Sequence, residues 1–251
     1  MNPPARMVVF GVGAGGLAVL FALAFAKMPA FGSVIHLYRT LAVRAAVAHR
    51  TANVVSSINF DQRGLDTLGE ETILLASVVG AAVLLRPSHE ESQRRPPPPV
   101  RVLEITRLAG YVLLPVTLIV GFDVVTHGHL TPGGGFQGGV VLATGLHLLY
   151  VSSDYQALER LRPLGVYETG EAVGAAAFGG LGLAGIVVAG EFLANILPLG
   201  TFGQLLSAGT VPILNVAVGL EVASGMVVLL ANFLQQYILL SPGARQVGAH
   251  G

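Results

Sequence analysis

The chain has 251 residues, 53% of them hydrophobic and 11% charged, with 33 glycines, no cysteine and a formal net charge of zero. Soluble domains carry about 25% charged residues, so a water-soluble monomer fits poorly. Intrinsic disorder, a disulfide scaffold and a basic nucleic-acid binder are excluded too, because apolar residues abound while cysteine and net charge are absent. What remains is an all-α, polytopic membrane protein.

A membrane helix needs roughly 20 mostly apolar residues. Met7–Ala26 carries no charge and meets that length. Arg6 ahead of it and Ala24-Phe25-Ala26 before Lys27 imitate a secretory signal, but the apolar run exceeds the ~7–15 residues of such a core, so an uncleaved anchor is expected. Within it, Gly11-Val-Gly13-Ala-Gly-Gly16 fits a dinucleotide fingerprint. That motif needs a βαβ unit and an acid about 20 residues on; here Lys27 follows and no acid precedes Asp61. Gly11 and Gly15 instead have the spacing that lets membrane helices approach closely.

The second apolar run, Thr72–Leu85, reaches spanning length only if Thr67–Glu71 forms its first turn. Leu108–Val125, interrupted by Pro115 and carrying Asp123, is the third, and Phe136–Val151, with His147, the fourth. Gly170–Gly190 is the fifth, and Val211–Leu234, with Glu221, the sixth. Gly170, Gly174, Gly179, Gly180, Gly182 and Gly185 mark the fifth as a close-packing surface against neighbouring helices or subunits.

Between the second and third runs, Arg86–Val100 is polar and contains four successive prolines, the composition of an extended linker. The expected division is a two-helix module over 1–86, a linker over 87–100, a four-helix domain over 101–240 and a flexible tail over 241–251. Arg86, Arg94, Arg95, Arg101, Arg107, Arg160 and Arg162 fall in two connections, whereas Thr126–Gly135 and Glu191–Thr210 hold no Lys or Arg. The positive-inside rule then puts both termini in the cytoplasm. Met28–Asp66 breaks the pattern with Arg39, Arg44, Arg50 and Arg63: either it packs against protein, or there is one more helix.

The most unusual stretch runs from Asp123 through His127, His129, Pro132 and Gly133–Gly135 to Gly139. Pro132 and three successive glycines end a helix, yet the connection lies between two apolar runs. Irregular backbone near membrane depth is tolerated only when buried in protein or lining a wet cavity. Two readings stand: a tight hairpin whose glycines merely turn the chain, or a turn beside an ion or water path with His129 as a titratable member. Asp123 and His127, four apart, share one helical face and can hydrogen-bond.

Gly128-His129-Leu-Thr-Pro132-Gly133-Gly134-Gly135-Phe136-Gln-Gly138-Gly139 resembles the G-H-x-x-P-G-G-G-F-x-G-G signature of the MnhB subunit of Mnh/Mrp-type multisubunit sodium/proton antiporters. A related protein of energy-converting membrane-bound hydrogenases carries a similar run. Asn215-Val-Ala-Val-Gly219-Leu-Glu221 also fits that family. Upstream, Asp61-Gln-Arg63-Gly-Leu-Asp66-Thr-Leu-Gly-Glu70 is similar to the D-x-R-G-x-D-T-x-G-E element found in the tail of the large antiporter subunit and in a small, E-type hydrogenase subunit. The resemblance implies four helices for the MnhB-like domain, fused here to a module usually found apart. It further implies a multi-pass subunit in the plasma membrane of a prokaryote. The implied partners are other membrane subunits, the lipid bilayer, and transported sodium or other monovalent cations and protons. A redox-driven complex such as a membrane-bound hydrogenase is the alternative parent; a self-sufficient small transporter and a purely structural scaffold are two further readings.

Asp61, Arg63, Asp66, Glu70 and Glu71 form a dense charge cluster at the mouth of the second helix. Acids in a first turn suit the positive end of the helix dipole, and Arg63 can pair with either aspartate, so a capping and salt-bridge role stands beside membership of a cation or proton access path. Inside the apolar runs lie Asp123, His147 and Glu221, with Glu171 and Glu191 near the ends of the fifth. A charged acid costs at least ~2.5–3.5 kcal/mol at a helix centre, so each invites a partner or a function. The ion-pathway candidates are therefore Asp61, Arg63, Asp66, Glu70, Asp123, His129, His147 and Glu221, around a structural motif of Gly128, Pro132, Gly133, Gly134, Gly135, Phe136, Gly138 and Gly139. There is no cysteine, H-E-x-x-H or P-loop, so no enzyme activity, cofactor, metal or nucleic-acid partner is expected.

Overall fold

A computed structural model describes residues 3–28, 36–86, 94–95, 102–152, 164–240 and 245–246. The helices are α1 (Pro3–Ala26), α2 (Leu37–Ala48), α3 (Val54–Ser57), α4 (Gly64–Leu84), α5 (Glu104–Thr126), α6 (Gly135–Ser152), α7 (Leu164–Ala189) and α8 (Val211–Leu240), with a π-helical turn, Ile58–Gln62, between α3 and α4. Arg94–Arg95 pairs antiparallel with Arg245–Gln246 over two residues; the other named elements are helical. Among the described residues five helices are long and apolar enough to span a membrane: Met7–Ala26, Gly64–Leu84, Glu104–Thr126, Leu164–Ala189 and Val211–Leu234. The apolar part of α6, Gly135–Leu149, is shorter. The protein is thus an all-α, multi-pass membrane protein.

Contacts divide the chain into Met1–Thr40 and Leu41–Gly251. The first unit contains α1, which runs unbroken through Gly11–Gly16. Among the described residues no strand precedes those glycines, so the phosphate-binding turn of a dinucleotide fold is missing and the helical reading holds.

In the second unit α8 is the axis. Of its apolar stretch 61% is buried, against 22% or less for the other spans. It packs against α4, α6 and α7, while α5 and α6 form an antiparallel hairpin around the glycine motif. The core gathers Phe60, Phe178, Leu193, Val211, Leu214, Val218 and Val222. The rings of Phe60 and Phe178 lie 6.3 Å apart, tilted 51°, a geometry that aromatic quadrupoles favour. In this way the π-helical turn is pinned to the middle of α7.

The helix edges depart from the sequence in instructive places. α4 begins at Gly64, so Glu70 and Glu71 lie beyond its first turn, whose only acid is Asp66. The dipole argument fades within one turn and does not explain them. α5 continues through Pro115 without a break. The arginine-bearing segment before α4 supplies α2, whose 12 residues fall short of a span. Ala42 and Ala46 of α2 are buried while Arg39, Arg44 and Arg50 are not, so this stretch packs on protein through its small residues and leaves its charges towards the outside. The proline run and most of the tail lie outside the described residues.

Candidate functional site

The glycine turn is clasped from two sides. Asn53, the N-cap of α3, accepts from Val55 N at 3.1 Å through Oδ1 and donates through Nδ2 to the carbonyls of Gly128 at 2.7 Å and Thr131 at 2.8 Å. Its own N–H donates to the His129 carbonyl at 3.0 Å. From the opposite side Asn215 of α8, fully buried, accepts from Gly135 N at 3.0 Å and donates to Ser56 Oγ at 2.9 Å and Val211 O at 3.0 Å. Gly133 and Gly134 have φ of +132° and +138°, which side chains rarely adopt. At Gly135 a Cβ would lie 2.5 Å from the Asn215 carbonyl and 2.7 Å from Val218 Cβ. Only glycine lets α6 start this close to α8. Gly138 and Gly139 seat α6 on α5 and α8 in the same manner, Phe136 packs on the core, and Pro132 is exposed. The irregular backbone is therefore buried in protein, with its polar groups taken up by two asparagines.

His129 sits inside this clasp. It is fully buried, and neither ring nitrogen has a hydrogen-bond partner among the described residues. Burial pulls its pKa below 6.5 and His127 adds to this, while the nearby backbone of Gln204 and Leu205 acts the other way without a formed hydrogen bond. The fold thus favours the neutral imidazole.

The charge cluster read from sequence is dispersed in space. Asp61, in the π-helical turn, turns inward: its Oδ2 lies 2.5 Å from His49 Nδ1, and its Oδ1 accepts from Asn195 Nδ2 at 3.3 Å. Asn195 in turn accepts from Thr210 N at 2.9 Å, tying down the loop before α8. Arg63 pairs with Asp66 at the surface, and Glu70 is exposed. His49 and Asn195 carried no sequence signal, since they stand 12 and 134 residues from Asp61 on other elements. Asp123 and His127 bond to each other at 3.0 Å, both substantially exposed. His147 is half-buried in α6, remote in sequence from every acid named above.

Glu221 is different. It is fully buried in α8, and two other acids join it there, Glu71 of α4 and Glu171 of α7, with exposures of 2% and 3%. Helix α4 packs against α8, and Glu71 and Glu221 lie near enough to act on each other. Glu171 reaches the same helix, its Oε1 lying 3.0 Å from where a Cβ at Gly225 would stand, one turn beyond Glu221. Among the described residues neither oxygen of Glu71 or Glu221, nor Oε1 of Glu171, receives a hydrogen bond. Sequence placed Glu71 with its neighbour Glu70 and missed that the two point in opposite directions. The signal was there: residues 67, 71 and 78 recur on one helical face, and all three are buried.

With this geometry in place, comparison with known proteins gives a family. Residues 105–228 match the family described as "Domain related to MnhB subunit of Na+/H+ antiporter". The segment belongs to that family. The MnhB-related domain thus holds α5 to α8, including the glycine turn, Glu171 and Glu221, but neither Asn53 nor Glu71. An uncharacterized protein of Methanocaldococcus jannaschii is 29% identical, covering 69% of this chain and 74% of its own length. A chain of the membrane-bound sulfane sulfur reductase, an archaeal respiratory membrane complex, superposes with a TM-score of 0.69 at 25% identity over 92% of this chain and 98% of that one. A chain of the Mrp complex from Dietzia sp. DQ12-45-1b has the same fold, with a TM-score of 0.66 at 24% identity, over 92% of this chain and 26% of that longer one. The fold of nearly this whole chain therefore recurs along the reductase chain.

Proposed function

We propose that the chain is a membrane component of a multisubunit complex in a prokaryotic plasma membrane that exchanges a monovalent cation, such as sodium, for protons. In that complex it builds part of the ion-access region and docks on partner subunits. The observation that carries this is the interlock of the N-terminal module with the MnhB-related domain through Asn53, Ser56 and Asn215. Its two lines of resemblance, to parts of antiporters and of respiratory complexes, meet at one glycine turn. The absence of cysteine, nucleotide and zinc-hydrolase motifs supports a non-enzymatic role.

Two parent complexes fit. The match along 98% of the reductase chain favours a redox-driven respiratory complex. The family description favours an antiporter without redox subunits. Purifying the tagged chain from its own membranes and identifying what accompanies it decides between them. Subunits that bind metal clusters are the expected companions for the first parent, and antiporter subunits alone for the second. Recovery of the chain with no partner at all would overturn the proposal.

A further inference from the structure

We propose that Glu71 and Glu221 form a proton-binding site inside the membrane domain, with Glu171 as its third wall. This rests on the function proposed above and names the place within the chain where a proton is held. The site draws one side chain each from α4, α7 and α8, and so joins the N-terminal module to the MnhB-related domain.

The hydrogen-bond inventory is what points to a proton. Ionised carboxylates are acceptors only. The four oxygens of Glu71 and Glu221 are buried side by side between α4 and α8 and receive nothing from the described residues. Buried polar groups without partners are costly, and two like charges in one low-dielectric site are costlier still. One proton changes both counts: the protonated member donates to its partner, and the pair carries one charge instead of two. The charged groups acting on the site from its own helices are acids as well, Glu70 beside Glu71 and Glu168 beside Glu171.

The surroundings make room for these carboxyls. At Gly174 a Cβ would lie 2.7 Å from the backbone nitrogen of Glu221, and at Gly225 it would lie 3.0 Å from Glu171 Oε1. Glycine at each position lets α7 and α8 close around the acids. Among the described residues no three His, Asp or Glu side chains are arranged to hold a metal ion. A proton needs only two oxygens, and it is the ligand that fits.

Infrared difference spectroscopy on the purified complex reads a protonated carboxyl directly through its C=O stretch, identified by its shift in deuterium oxide. The native complex should show a pH-dependent band that disappears in both Glu71→Gln and Glu221→Gln. The glutamine amide donates where the proton did, so both variants should assemble with the native subunits while coupled cation/proton exchange is lost. A band unchanged in both variants, or exchange at the native rate in both, overturns the proposal. So does a band that responds to sodium at fixed pH but not to pH, which would make this a cation site. Should glutamine prevent assembly, Glu71→Asp and Glu221→Asp retain a titrating carboxyl and must move the midpoint of the band; an unmoved midpoint overturns the proposal equally. Failure of the broader function would look different, as a chain purified without partners and with its band still readable.

Discussion

At the scale of single residues, the clasp around His129 has a consequence for acid stability. His129 is buried, neither ring nitrogen is hydrogen-bonded by the described residues, and its pKa lies below 6.5 in the fold. Well above about pH 6.5 neither the folded nor the unfolded chain protonates it, and it contributes no pH dependence. Below that value the unfolded chain takes up a proton that the folded chain refuses, so stability falls as pH drops and levels off beneath the folded value. Thermal unfolding of the solubilised complex should therefore shift down on acidification more for the native chain than for His129→Phe. Parallel declines would contradict a lowered pKa at His129. Part of this clasp was legible in advance. Three successive glycines after a proline announce a broken turn in any sequence, and Gly133–Gly135 is that turn. Its partners were not legible, because Asn53 and Asn215 reach it across 75 and 80 residues of chain, and polar residues at such separation have no local pattern.

Between elements, the loop before α8 is held through the Asp61 network rather than through the surface ion pair. The Asp61 side chain is 3% exposed and joins His49, at the end of α2, to Asn195 of that loop, whereas Arg63 and Asp66 are each more than half exposed. Exposed pairs contribute about 0–1 kcal/mol, and hydrogen bonds to a buried charge about 1.5–3 kcal/mol. Asp61→Ala should thus speed proteolysis of the segment 191–210 in membranes, and Arg63→Ala should leave it near native; equal effects would contradict this ranking. Sequence grouped these residues because they are neighbours along the chain. The π-helical turn at Ile58–Gln62 rotates Asp61 inward while α4 carries Asp66 and Glu70 outward, and neither rotation has a compositional signature. The spans themselves were readable, since their apolar length is a one-dimensional property. Helix α2 was not: its short alanine face is buried only by residues from elsewhere in the chain.

Across the whole molecule, the apolar composition and the scarcity of charge have one physical meaning. Most spans expose large hydrophobic side chains, among them Val112, Ile119, Leu183 and Val187, surfaces suited to lipid or to neighbouring subunits, while α8 is the most buried span and carries Asn215, Glu221 and Ser224 inside. That division suits the assembly role proposed above. Composition alone reached the membrane; the glycine signature reached the family; the meeting of Glu71, Glu171 and Glu221 needed three helices packed together, and no segment of sequence contains more than one of them. The most direct test uses inverted membrane vesicles from cells that retain the partner subunits but lack this chain. Sodium-dependent proton movement should be absent in those vesicles and return when the full chain is supplied, whereas the chain expressed alone in antiporter-deficient cells should give none. Undiminished exchange without the chain, or exchange by the chain alone, would contradict a protein that works only within its complex.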